Sequence, residues 1–237
     1  MPPSNTTAAA VENALIVDRS ADERSTVDLI DAARAASTTR VLLVRGDAVP
    51  VRADALVTVS PGVVGEAHEW AFLGRDPHGE AVLLALVDDG AAVPAPDAAW
   101  VSLRVAGGEL APSEAEVLRT AVALAGWLRD ATYCPACGGR AQLRAAGWSR
   151  QCPDCGREHF PRTDPAVIVL PVDEGGGRVL LGSNAAWGGD RYSCFAGFAE
   201  AGESLEDAVS REVFEEAGVR LREVEYRGSQ AWPYPRS

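Results

Sequence analysis

Over the first hundred residues, apolar positions come in short runs broken by glycine, aspartate and proline. The runs at 40–47 (RVLLVRGD), 55–60 (ALVTVS), 69–76 (EWAFLGRD), 80–89 (EAVLLALVDD) and 99–107 (AWVSLRVAG) are predicted strands. STVDLIDAARAA at 25–36 is a predicted helix, and GAAVPAPDAAW at 90–100 is a turn-rich connection. From Ser113 the period lengthens. Ser113 and Glu116 have capping-box spacing, and Val117, Ala121, Leu124, Ala125 and Leu128 recur at helical intervals, predicting one helix over about 113–129. Further on, AVIVLPV (166–172) and RVLLGS (178–183) bracket DEGGG, a strand–turn–strand pattern. CFAGF (194–198) leads into the last helix, and VEYRGSQAW (224–232) is another β-like run, soon after which the chain stops as if unfinished.

That last helix places charge where packing is expected. Ser204 with Asp207 marks its start and Gly218 its stop. Leu205, Val209 and Val213 form an apolar stripe, yet the same stripe passes through Glu212 and Glu216. Glu206 and Asp207 belong to an ordinary solvated face. A carboxylate in partly dry surroundings is costly unless a cation or hydrogen bonds compensate it. Glu215, one turn after Arg211, adds a third acid to the group. Hard divalent ions, Mg²⁺ or Mn²⁺, suit such oxygen ligands.

Composition narrows the chemistry. The 237 residues are 47% hydrophobic and 24% charged, an ordinary soluble balance, and the longest apolar runs fall short of a bilayer span. The N-terminus carries no basic region ahead of an apolar core, so no membrane association is expected and a cytoplasmic location is the default. A net charge of −12 argues against broad attraction to nucleic acid or anionic lipid; divalent metal and local arginines would have to neutralise an anionic substrate. All 22 basic residues are arginine, which excludes a phosphate-loop lysine, a Schiff-base lysine and a lysine base. Only His68, His78 and His159 are present, so a histidine-rich site is not expected.

Cys134, Cys137, Cys152 and Cys155 form C-x2-C-x14-C-x2-C, each pair followed by glycine. Four thiolates at this spacing suit tetrahedral Zn²⁺ held between two knuckles joined by a short hairpin. A closed four-cysteine site leaves no open coordination position, so the zinc is structural and serves a segment too small for its own core. His159 lies close by but is not needed as a ligand, and Cys194 is an expected core thiol.

The last helix and its leading loop match G-x5-E-x7-R-E-U-x-E-E-x-G-U at Gly197, Glu203, Arg211, Glu212, Val213, Glu215, Glu216, Gly218 and Val219. This resembles the Nudix hydrolases. With the ribbon before it and SQAWPYPRS after it, the chain is similar to the NADH pyrophosphatase branch, whose downstream motif is S-Q-P-W-P-F-P-x-S. Ala231 and Tyr234 depart from that motif, and WAFLG at 70–74 is the main anchor of the resemblance in the first hundred residues.

The resemblance implies an α/β fold: an N-terminal α/β domain (1–112), a linking helix (113–130), a zinc ribbon (131–162) and a Nudix α/β/α sandwich (163–237). It also implies that further strands, a C-terminal helix and another metal-binding glutamate lie beyond residue 237, so the sandwich is expected to be C-terminally truncated. The implied Mg²⁺ or Mn²⁺ ligands are the Ala196 carbonyl, Glu212, Glu215 and Glu216. Glu216 is the implied base with Glu215 supporting, Arg211 orients the acids, and Glu203 fixes the loop. Phe160, Gln230, Ala231, Trp232, Pro233, Tyr234, Pro235, Arg236 and Ser237 are implied to bind substrate.

The expected reaction is hydrolysis of NAD(H) to AMP and nicotinamide mononucleotide by a homodimer, with the 5′ end of NAD-capped RNA as a further substrate. Two alternatives follow from the same residues. One is a Nudix hydrolase of another nucleoside diphosphate derivative, such as ADP-ribose. The other is an inactive, truncated zinc-ribbon or nucleotide-binding protein.

Overall fold

The structure, a computed structural model, describes residues 15–92, 97–184, 186 and 190–233. They form two compact units, residues up to 162 with the segment from Trp232, and residues 163–231. Residues 93–96 of the turn-rich connection lie outside the described residues.

In the first unit, helix α1 (Leu29–Ala35) precedes strands β1 (Arg40–Val44), β2 (Ala48–Arg52), β3 (Ala55–Leu56) and β4 (Thr58–Val59). Strands β5 (Glu69–Arg75), β6 (Ala81–Leu86) and β7 (Ala99–Ser102), then helices α2 (Leu103–Ala106) and α3 (Pro112–Asp130), follow. One sheet has the order β4-β1-β6-β5, with β1 and β6 parallel; a second has the order β3-β2-β7. The central strands read as continuous apolar runs because both of their faces are covered. Leu42, Val44, Val82 and Leu84 pack with Leu118, Ala121 and Leu124 of α3. Their neighbours Val41, Leu43, Leu83 and Ala85 pack with Leu29 and Ala33 of α1.

Two predictions fail here for local reasons. The run at 99–107 is strand only to Ser102, after which α2 begins. The predicted capping box at Ser113 does not form. The helix starts one residue earlier at Pro112, whose missing N–H is tolerated in the first turn, and Ala111 caps it without a side-chain bond.

The cysteine segment carries an antiparallel sheet of β8 (Gln142–Arg144), β9 (Ser149–Gln151) and β10 (Glu158–His159), in the order β10-β9-β8. Its β9 arginine fastens it to the rest of the first unit. Arg150, 3% exposed, donates to Glu69 Oε1 at 3.0 Å, to the Leu128 carbonyl at 2.8 Å and to the Ala141 carbonyl at 3.4 Å. Trp148 donates its indole N–H to the Phe72 carbonyl at 2.7 Å, while the Arg24 guanidinium stacks 3.6 Å above its ring.

The second unit is built on β11 (Ala166–Val169) antiparallel to β12 (Phe195–Phe198), with helix α4 (Leu205–Ala217) packed on the pair. The predicted strand at 178–183 appears only as isolated bridges, Val172 with Val179 and Gly182 with Ser193. The run at 224–232 forms no strand among the described residues. A β-prone run becomes a strand only where a neighbour supplies ladder partners. No helix among the described residues is long and apolar enough to cross a membrane.

Candidate functional site

The two cysteine knuckles are built alike. Gly138 N–H donates to the Cys134 carbonyl and Gly156 N–H to the Cys152 carbonyl, each at 2.9 Å. Both glycines sit at positive φ, 77° and 73°, which lets the chain turn back under its first cysteine without a Cβ penalty. The four sulfurs lie within 4.8 Å of one another. Cys134 Sγ is 3.7 Å from Cys155 Sγ, and Cys137 Sγ is 3.5 Å from Cys152 Sγ. A Zn–S bond of about 2.3 Å requires tetrahedron edges of about 3.8 Å, so the donor set fits zinc. Burial opposes ionisation of Cys134, but the backbone N–H groups of Ala136 and Cys137 and the His159 ring pull its thiol down to about 6. Cys194, expected in the core, is instead half-buried just before β12.

The acidic helix begins as the sequence predicts. Asp207 N–H donates to Ser204 Oγ at 3.1 Å, and Gly218 closes the helix at φ 66°. Between them Arg211 spends all five of its N–H donors. Nε and Nη2 form a fork to Glu203 Oε1 and Oε2, each at 2.8 Å. Nη1 reaches Glu212 Oε1 at 2.8 Å and Glu215 Oε2 at 3.3 Å, and Nη2 also reaches the Phe198 carbonyl at 3.0 Å. Glu203 in turn accepts the Glu200 N–H at 2.9 Å, tying down the loop between β12 and α4. The Arg211 fork, with that N–H, holds the Glu203 carboxyl at about 2, and the carboxylates raise Arg211 further above its usual value.

Glu212 is only 14% exposed, and its carboxylate occupies the notch left by Gly197, where a Cβ would collide with it. Gly197 stands opposite Val167 in the β11–β12 ladder, next to Ala196 opposite Ile168. The other expected stripe positions differ. Leu205 is 47% exposed and Glu216 is also exposed, whereas Ala208, Val209 and Val213 are buried. A helix of 13 residues is about 20 Å long, but strands of four residues cover only about 13 Å. The helix is therefore longer than the strands it packs on. Among the described residues, the cysteines are the one set of three or more ligand side chains gathered within 4.8 Å; Glu212, Glu215 and Glu216 are not drawn together that tightly.

Of the residues expected to bind substrate, Phe160 is exposed at the end of β10, and Gln230, Ala231, Trp232 and Pro233 lie in an irregular segment. Tyr234, Pro235, Arg236 and Ser237 lie outside the described residues. Among the buried charges of the described residues, Arg150 and Glu114 escape the sequence pattern; Glu114 Oε1 accepts the backbone N–H groups of Leu15 and Leu56, each at 3.2 Å. Neither belongs to a motif, and no local spacing marks them.

The loop and helix that carry this glycine notch and arginine cluster lie within residues 162–237, which match the NUDIX domain model. Residues 129–160 match the NADH pyrophosphatase zinc ribbon domain, and 10–127 the NADH pyrophosphatase-like rudimentary NUDIX domain. The chain belongs to the Nudix family, in its zinc-ribbon NADH pyrophosphatase branch.

It is similar to a protein named NAD-capped RNA hydrolase NudC from Mycobacterium tuberculosis (strain H37Rv). The two are 41% identical over 177 residues, 70% of this chain and 56% of the relative. The protein of that name from Stutzerimonas stutzeri is 37% identical over 159 residues, 67% of this chain and 56% of the relative. Nudix hydrolase 19, chloroplastic, of Arabidopsis thaliana is 40% identical over 125 residues, 52% of this chain and 28% of the relative. The chain thus spans about half the length, or less, of the curated relatives it matches.

Proposed function

We propose that this chain acts in metal-dependent hydrolysis of the diphosphate bridge of NAD(H), giving AMP and nicotinamide mononucleotide, and that the same reaction removes an NAD cap from an RNA 5′ end. The observation that carries the reading is the acidic group organised by Arg211 and seated in the Gly197 notch. The zinc-ribbon match and the relatives' names support the choice of substrate.

A diphosphate brought to a protein of net charge −12 needs cations beside it. Mg²⁺ binds through one or two carboxylates and completes its shell with water and substrate phosphate, so a dense protein cage is not required. Glu212, Glu215, Glu216 and the Ala196 carbonyl would hold Mg²⁺ or Mn²⁺. The bound ions would neutralise the phosphates and lower the pKa of the attacking water.

The chain's own part is positioning. Arg211 fixes the direction of Glu212 and Glu215, and Glu203 holds the loop that follows β12. Glu216, exposed at the end of α4, can reach solvent and takes the water's proton, with Glu215 supporting it. Phe160, Trp232 and Tyr234 would stack on the substrate rings, and the residues from Gln230 to Ser237 would take part in binding substrate. We place the protein in the cytoplasm as a homodimer.

The test compares turnover of NADH, ADP-ribose and NAD-capped RNA with Mg²⁺ and with Mn²⁺, in this chain and in one extended to the length of the relatives. Glu216→Gln is expected to cost about 10²–10⁴-fold in turnover with the fold intact. A preference for ADP-ribose rejects the substrate, and an active Glu216→Gln rejects the base.

A further inference from the structure

The zinc cluster has a neighbour that the four-cysteine pattern does not require. His159 Nε2 lies 3.1 Å from Cys134 Sγ, yet the imidazole stands outside the group of four mutually close sulfurs. Cys134 is buried and already receives the backbone N–H groups of Ala136 and Cys137. The ring therefore adds a third donor to one sulfur. Its placement is not accidental to a mobile side chain, because His159 pairs in register with Arg150 across β10 and β9, and Arg150 is anchored in the first unit.

Zn²⁺ with four thiolates carries an excess of negative charge, and N–H donors to sulfur disperse it. We propose that His159 is a positioning residue of the zinc centre, donating its Nε2–H to the Cys134 thiolate. The bond lowers the tendency of that thiolate to leave the metal for a proton or another electrophile. It also tethers the end of β10, from which Phe160 follows directly. The assignment rests on the zinc site and not on the hydrolase reading, so either can fail without the other.

Zinc-loaded wild type, His159→Phe and His159→Gln are compared by the rate at which zinc passes to the chelator 4-(2-pyridylazo)resorcinol. Phe keeps the bulk and removes the donor; Gln can place an amide N–H where Nε2 stood. The Phe variant is expected to release zinc at least about tenfold faster, as for other losses of outer-shell partners, with Gln close to wild type. A Phe variant as slow as wild type overturns the proposal, as does a Gln variant as fast as Phe. Cobalt(II) substitution of the wild type provides a readout independent of how well the variants fold. A four-sulfur spectrum agrees with the outer position of His159, and a mixed nitrogen–sulfur spectrum makes it a ligand and overturns the proposal.

Discussion

A Cβ at Gly197 would land on the carboxylate of Glu212. The strand glycine and the helix glutamate, 15 positions apart in the chain, are two sides of one contact, which explains why the motif needs both. Gly197→Ala is expected to push Glu212 off Arg211 and to cost about 1–3 kcal/mol by overpacking, read by thermal unfolding. In the double variant Gly197→Ala/Glu212→Ala most of that cost should vanish, because the colliding group is gone. Strict additivity of the two single variants would refute the contact.

Glu203 makes the second unit sensitive to acid. Its carboxyl is held at about 2 by Arg211, below the ordinary 4.5 of the unfolded chain. The unfolded state therefore takes up the proton first, so the pair's contribution is complete above about pH 4.5 and is lost as pH falls towards 2. Unfolding measured from pH 6 to 2 should show this loss in the wild type and a flatter profile in Glu203→Gln.

Glu114 acts with the opposite sign. Burial raises its carboxyl above 4.5, against the pull of the Leu15 and Leu56 N–H bonds and of Arg40. Here the unfolded state ionises first, so stability falls as pH rises above about 4.5. Glu114→Gln keeps a carbonyl acceptor and should remove that decline. Glu114→Ala leaves two buried N–H groups unpaired and is expected to cost about 1–3 kcal/mol for each at every pH, read from denaturant midpoints.

Arg150 joins the zinc ribbon to the rest of the first unit, so metal and fold should be coupled there. Arg150→Met strands Glu69 and the Leu128 carbonyl and is expected to cost on the order of 3 kcal/mol. Zinc removal by a chelator should lower the melting temperature of the first unit in the wild type, and by less in Arg150→Met. Equal shifts in the two proteins would show that the arginine does not carry the coupling.

What the sequence alone determined was local. Cysteine spacing gathers four sulfurs as the corners of a tetrahedron that suits zinc, because each knuckle closes within a few residues. Ser204 and Gly218 bound α4 through bonds to their own neighbours, and the continuous apolar run of β6 announces a strand buried on both faces.

The tertiary structure decided the rest. Periodicity gives an angle around a helix but not the length of the surface beneath it, so Leu205 and Glu216 share the stripe of Val209 and still face solvent. Among the described residues, the run at 178–183 pairs only through isolated bridges and the run at 224–232 through none, although both have strand composition. In the chain Glu114 and Arg150 look like surface residues, and His159 reads only as a neighbour of the cysteines that the metal does not need. Each gained its role from a partner far along the sequence, Leu15, Glu69 and Cys134 respectively. Such contacts exist only after the backbone has closed the intervening loops, and no local pattern encodes them.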